Sequence, residues 1–418
     1  MSEPGEPTGR VIAPVPRITV QAFCESGEVA AVIEAAAGDR RMQKAHTRVQ
    51  MGGAAAATEA YRSAPTPNVI VVEIGTAKGN PLAALDSLAE VCDSGTKVVV
   101  IGHVNDVVLY REFIRRGVSE YLIAPIDAVA VIAAISELFS DPAAEPLGRT
   151  IAVVGARGGV GASTLAHNIA WSVSRDYGTA TVIADLDIAF GTAGLNFNQD
   201  PPQGVAEAVF APDRVDANFV DRLLSKCTDN LSLLAAPATL DRPTDFVEGA
   251  FDGVIDVLRA SVPCIVLDVP HGWSAWCRRM LIGADEIVVV AAPDLTSLRN
   301  ARNLFEVLRQ ARPHDRMPRL VLNGVGMPKR PEIAVSEFSK ALDAPVAATV
   351  PFEPALFGTA ANNGQMLAEV QPGAKVTEVL SELAGSLTGR GETRRGRGNI
   401  LEPLLEPLLA RLARRKAS

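Results

Sequence analysis

Residues 150–174 read as an apolar strand (TIAVVG), a glycine-rich turn (ARGGVGA) and a helix-forming stretch (STLAHNIAWSVS) in direct succession. A parallel strand that feeds a helix through such a turn aims backbone N–H groups and the helix dipole at one point, which makes an anion site. A chance run of glycines would lack that direction. The main chain of Gly155, Gly158, Gly159, Val160, Gly161, Ala162, Ser163 and Thr164 is therefore the candidate phosphate cradle. One residue is out of place: phosphate-binding loops carry a lysine before the Ser or Thr, and here Ala162 stands there, followed by Ser163.

The same strand–helix alternation runs along the chain and predicts an α/β fold with two parallel-sheet domains. In the first, residues 17–140, the clearest strands are ITVQAF, NVIVVEI and KVVVIG, and DAVAVIAAISELF is a closing helix. In the second, residues 149–388, the strands TIAVVG, ATVIADLD, LSLLAA, CIVLDV, EIVVVAA, PRLVLNG and AATVPF are near-continuous apolar runs, the pattern of strands covered by helices on both faces. Residues 1–16 read as a flexible leader, 141–148 and 389–398 as linkers, and 399–418 as a separate tail.

Apolar residues make up 48% of the 418 and charged residues 21%, enough for well-buried cores. The net charge of −8 argues against a protein that coats nucleic acid, and no specific nucleic-acid partner is expected. Five scattered cysteines without a CxxC pair suit a reducing compartment. The N-terminus shows no apolar signal segment, and runs such as EIVVVAAP are far short of the roughly 20 residues that span a bilayer. The expectation is a cytoplasmic protein.

Three further stretches supply polar groups at strand ends. VIADLDIAF places Asp185 and Asp187, carboxylates that could orient water or hydrated Mg²⁺; CIVLDVPHG places Asp268, at the Walker B position; LVLNGVG places Asn323, whose amide can read adenine. Singly, each could be an ordinary cap or turn residue. Together with the loop they resemble the ParA/MinD family of deviant Walker ATPases, a P-loop NTPase fold. That resemblance implies ATP and Mg²⁺ as cofactors. It implies Arg157 as the signature cation that reaches a partner's phosphates in a nucleotide-sandwich dimer, with Ser163 and Asp268 on Mg²⁺. It also implies Asp187 as the switch I residue that positions water, Asn323 as the adenine reader, and Pro351 and Phe352 of VPFEP packing beside the base. Loss of the loop lysine should cost about 2–4 kcal/mol of transition-state stabilisation, whereas amides, dipole and Mg²⁺ remain. The expectation is a nucleotide switch, dimeric when loaded, with weak or absent hydrolysis; an active partition or positioning ATPase on DNA or membrane is the alternative.

The front domain has the element order of a response-regulator receiver, a flavodoxin-like fold. Its acidic pair is missing, Glu73 stands at the phospho-acceptor position, and Ala124 replaces the lysine before Pro125. It reads as a pseudo-receiver used for docking or dimerisation, against the plainer possibility of an unrelated α/β domain. A degenerate receiver joined to a deviant Walker domain resembles the CpaE/TadZ family of pilus assembly proteins. Membership implies a homodimeric localisation factor for Tad (Flp) type IV-like pilus secretion, placed at the inner membrane or a cell pole, with the secretion ATPase and inner-membrane platform as partners.

In the tail, Leu401, Leu405 and Leu409 with Leu404, Leu408 and Leu412 form one apolar stripe if helical, flanked by Arg411, Arg414, Arg415 and Lys416. Membrane contact, docking on a partner and packing on its own domain all stay open. Trp273 and Trp276 follow Walker B, with burial the commoner state for both. His271 in that loop is assigned no catalytic role, because the resemblance gives water positioning to Asp187.

Overall fold

A computed structural model describes residues 11–75, 80–140, 146–238, 240 and 244–390. Two compact units divide the chain, one holding residues up to Glu145 together with Arg312–Asp315, the other the remainder.

The first unit is a five-stranded parallel sheet of order β2-β1-β3-β4-β5, built from β1 (Thr19–Cys24), β2 (His46–Met51), β3 (Val69–Ile74), β4 (Lys97–Gly102) and β5 (Glu120–Ile123). The helices α1 (Gly27–Ala37), α2 (Gly53–Tyr61), α3 (Pro81–Ala89), α4 (Val107–Arg115) and α5 (Ala128–Leu138) alternate with the strands. All six residues of β3 are buried, as a central strand covered on both faces requires. Alternate residues feed two cores: Val69 and Val71 pack with Ile33 and Ile132, Ile70 and Val72 with Phe113 and Leu85.

The second unit is an eight-stranded sheet of order β13-β12-β11-β6-β10-β7-β9-β8. Its strands are β6 (Arg149–Gly155), β7 (Thr181–Asp185), β8 (Ser225–Lys226), β9 (Leu231–Leu234), β10 (Cys264–Val269), β11 (Glu286–Ala291), β12 (Arg319–Val325) and β13 (Val346–Pro351). Only the β8–β9 pair is antiparallel. Its helices include α6 (Ala162–Asp176) after β6, the short α7 (Ala193–Asn196), α8 (Val205–Phe210), α9 (Ala217–Leu223), α10 (Asp252–Ser261), α11 (Ala275–Gly283) and α12 (Leu295–Ala311). Helices α13 (Val335–Leu342), α14 (Pro354–Asn363), α15 (Leu367–Val370) and α16 (Lys375–Leu387) complete the layers. One core joins α6 and α16 to a sheet face through Ile151, Val153, Ile169, Val173 and Leu380; the other joins α10 to α12 through Leu258, Leu267, Leu281 and Phe305. Each fully buried Val, Ile or Leu contributes about 1.5–3 kcal/mol, so the central strands hold their C-terminal residues firmly.

Register does the positioning. Asp268 lies opposite Asp185 on one neighbour and Val153 on the other, and Gly155 lies opposite Val290. The polar residues found in the sequence thus gather at the carboxyl ends of β6, β7, β10 and β12, where ligands bind open parallel sheets. The tail 399–418 and its leucine stripe lie outside the described residues. Among those described, no helix is long and apolar enough to cross a membrane.

Candidate functional site

The glycine-rich turn is closed by its own glycines. A Cβ at Gly155 would sit 2.8 Å from Arg157 O and 2.9 Å from Val160 Cγ2, and Gly159 and Gly161 hold φ of 74° and 85°, where only glycine is unstrained. Gly155 is the last residue of β6, and the four-residue gap that the loop pattern sets before Gly161 begins after Ala156, so Gly155 serves the bend and Ala156 starts the motif. Gly161 precedes α6 without a side-chain cap. The first-turn N–H groups, those of Ala162, Ser163 and Thr164, have no partner within the helix and point out of its N-terminus.

Asn323 is tied to this loop. Its Nδ2 donates to Val160 O at 2.8 Å, and a Cβ at Gly161 would lie 2.5 Å from that nitrogen, so Gly161 is needed for space as well as for φ. Asn323 is thereby a strut of the loop. Pro351 and Phe352 end β13 on the far side of β12, where Phe352 N donates to Val325 O at 2.8 Å.

Asp268 and Asp185 are both buried at the strand ends. Asp185 Oδ1 accepts from Asp187 N at 3.1 Å and Oδ2 from Ala193 N at 3.0 Å, so this carboxylate shapes the segment after β7 from within. Burial, and then the neighbouring Asp268, raise its pKa from 3.8 to about 7. Asp187, half-buried, uses Oδ1 to accept from Phe190 N at 3.0 Å, and the Phe190 ring stands exposed beside it. His167, on α6, is fully buried with Nε2 3.4 Å from Asp268 Oδ2 and Nδ1 3.0 Å from Asn196 Nδ2. It links the Walker B strand to α7, and the sequence reading missed it because its apolar neighbours on α6 make it look like an ordinary core position.

Arg157 is engaged. Its Nη2 lies 2.9 Å from Asp294 Oδ2 and its Nη1 donates to Gly158 O at 3.0 Å. Asp294 also accepts from Ser297 N at 2.8 Å at the start of α12, and Asn300 Nδ2 donates to Ala156 O at 2.9 Å. Neither Asp294 nor Asn300 was singled out from sequence; the D-x-x-S spacing of a helix start was the available signal for the first. Trp276 is buried against Phe251, ring centroids 4.6 Å apart, while Trp273 is exposed. In the first unit Glu73 is buried and accepts from Glu25 N, Ser26 N and Ser26 Oγ at 2.7–2.8 Å, with His103 Nε2 at 3.0 Å.

An open helix N-terminus, a turn that needs glycine at 155, 159 and 161 and a buried Asp268 suit a Mg²⁺-bound nucleotide, with Ser163 and Asp268 as the residues that would hold the ion. No protein-family model matches the chain. Two solved structures decide the family. The pilus assembly protein CpaE of Caulobacter crescentus is 51% identical, covering 31% of this chain and 100% of that one, with a TM-score of 0.30. A putative CpaE2 pilus assembly protein of Sinorhizobium meliloti is 40% identical over 29% of this chain and 99% of its own, with a TM-score of 0.28. Both align with the N-terminal part, and it is the identity that carries the relationship.

The chain belongs to the CpaE family.

The rest of this CpaE-family chain has the ParA/MinD P-loop fold. A ParA family ATPase of Chlorobium tepidum matches 57% of this chain and 98% of its own at 22% identity, with a TM-score of 0.51. MinD of Pyrococcus horikoshii, solved with Mg-ADP, matches 58% and 96% at 19% identity, also at 0.51. In sequence, the septum site-determining protein MinD of Escherichia coli K12 is 28% identical over 163 residues, 39% of this chain and 59% of that protein. The chain thus spans about three fifths of the length of the curated relatives it matches.

Proposed function

We propose that this CpaE-family protein is a nucleotide-operated scaffold for a pilus secretion machine of the Tad (Flp) type, closed into a homodimer by ATP and Mg²⁺ and turning over slowly or not at all. The observation that carries the reading is the loop itself. It has the open α6 N-terminus and the Asp268 carboxylate that binding needs, and it has Ala162 where a hydrolytic enzyme keeps its lysine.

The residues divide the work. Amides of Gly158–Thr164 hold the polyphosphate, and Ser163 and Asp268 hold the ion, which when bound offsets phosphate charge. Asn323 braces the loop and accepts from the base beside Phe352. Arg157 leaves Asp294 to reach the partner's nucleotide, a bidentate donor in place of the family's lysine. Asp187 stands at the position that orients water. Partners of the closed dimer are the secretion ATPase and the inner-membrane platform, which sets the site of action at the inner membrane or a cell pole.

Sizing the full-length protein with and without ATP and Mg²⁺, beside an Arg157→Ala variant, tests this. A nucleotide-dependent shift from monomer to dimer that the variant lacks supports it. A dimer indifferent to nucleotide, or a turnover stimulated by DNA, overturns it.

A further inference from the structure

The loop of a triphosphate site needs positive charge, and this one has lost its usual source. Between residues 149 and 325 the only lysine is Lys226, at the far edge of the sheet, where its Nζ pairs with Asp229 Oδ1. Arg157 is bound to Asp294 and Gly158 O, and His167 is buried behind Asp268. Among the described residues, His271 is a further basic side chain at the loop, and no carboxylate holds it.

The loop itself seats that ring. His271 Nδ1 lies 3.0 Å from Gly155 O, and since a carbonyl only accepts, Nδ1 carries a proton and donates it. Nε2 is then the uncommitted nitrogen. Its edge of the ring runs along the loop, because a Cβ at Gly158 would stand 4.0 Å from His271 Cδ2, the carbon bonded to Nε2. The ring is exposed, as are Gly158 and Gly159 beside it. Its backbone is fixed on both sides, by Gly272 N donating to Pro270 O at 2.8 Å and by Ser274, whose Oγ caps α11 through Cys277 N at 3.2 Å. The charged groups at this end of the sheet include Arg157 on the loop, Asp294 opposite it, Asp185 at the end of β7, Asp187 just after it and Asp268 near the end of β10.

We infer that His271 supplies the phosphate-facing cation that Ala162 took away: anchored on Gly155 O through Nδ1, it turns Nε2–H to the terminal phosphate of a nucleoside triphosphate held by the loop. With Nδ1–H already committed, Nε2 can face an anion only as a donor, so the ring binds as the imidazolium, its second proton taken from solvent. The inference rests on the nucleotide reading above. Its consequence is selectivity, because a diphosphate lacks the group that His271 recognises.

The experiment measures Mg²⁺-dependent binding of ATP and of ADP to the full-length protein in four forms: wild type, His271→Ala, His271→Arg, and His271→Ala combined with Ala162→Lys. Loss of one charge-assisted contact should weaken ATP binding about tenfold in His271→Ala and leave ADP within about twofold. His271→Arg should keep ATP binding near wild type, and Ala162→Lys should restore it in the His271→Ala background. Equal weakening of ATP and ADP would make the ring a mere prop for Gly155, and no change in either would leave it without a role; both results overturn the inference while the nucleotide site stands. If the wild type binds neither nucleotide, the site reading fails and the inference falls with it.

Discussion

Arg157 Nη2 lies 2.9 Å from Asp294 Oδ2, so the cation of the glycine-rich loop is paired within its own chain. Burial pushes the Asp294 carboxyl up, but Ser297 N–H and Arg157 more than offset it, and its pKa lies below 3.8. It is charged at neutral pH. In the proposed nucleotide-closed dimer Arg157 would have to leave this pair, which would then set a threshold.

Asp294→Asn keeps the acceptor that Ser297 N uses and removes the charge that restrains Arg157. A partly exposed pair of this kind is worth up to about 1 kcal/mol, so the ATP concentration needed for half-maximal dimer should fall about two- to fivefold. Sedimentation velocity across an ATP titration reads this directly, and an unchanged midpoint would show that the pair restrains nothing.

Ala162→Lys should convert the site into a faster hydrolase. Restoring a donor at developing phosphate charge is worth about 2–4 kcal/mol, or about 30- to 10³-fold in turnover. Phosphate release by the variant against wild type checks it. Comparable rates would place the barrier elsewhere, with Asp187 as the next residue to test.

Glu73 occupies the phospho-acceptor position and is already used up. Burial pushes its carboxyl up, but the N–H and hydroxyl of Ser26, Glu25 N–H and His103 bring its pKa below the ordinary 4.5. A depressed folded pKa stabilises above the unfolded value, and that stabilisation is lost as pH falls through the folded one. Glu73→Gln should therefore cost about 1–3 kcal/mol at pH 7, with the gap from wild type closing below about pH 4. Thermal melts of both proteins across pH test it, and acetyl phosphate should label neither.

Asp185 has the opposite sign. Its folded pKa of about 7 lies above the ordinary 3.8, so the stability it contributes at low pH is lost as pH rises from about 4 to about 7. Without Mg²⁺, Asp185→Asn should melt a few degrees above wild type at pH 8 and no higher at pH 4. A lower melt at pH 8 would mean that the hydrogen bonds to Asp187 N and Ala193 N outweigh the buried charge.

The larger sheet was legible because its strands are covered on both faces: CIVLDV and EIVVVA are buried at every residue, and such runs announce themselves. Strand β2, His46–Met51, was not, since as an edge strand its residues are half-buried or exposed and HTRVQM carries no continuous apolar signal. The two-residue β8 is too short to leave any pattern. At the site, residue types at strand ends pointed to Asp268, Asp185 and Asn323. Sequence could not tell that Asn323 braces the loop, that Asp185 is enclosed by its own switch segment, or that Arg157 is held by Asp294, because those facts depend on which strands are neighbours and on how the turns close.

The most direct measurement is equilibrium binding of a fluorescent ATP analogue to the purified full-length protein, with and without Mg²⁺ and beside Asp268→Asn. The account predicts saturable binding at one nucleotide per chain, weakened by removal of the ion and by the substitution. Absence of saturable binding at millimolar nucleotide, in wild type with Mg²⁺ present, would contradict it and leave this CpaE-family protein an inert adaptor.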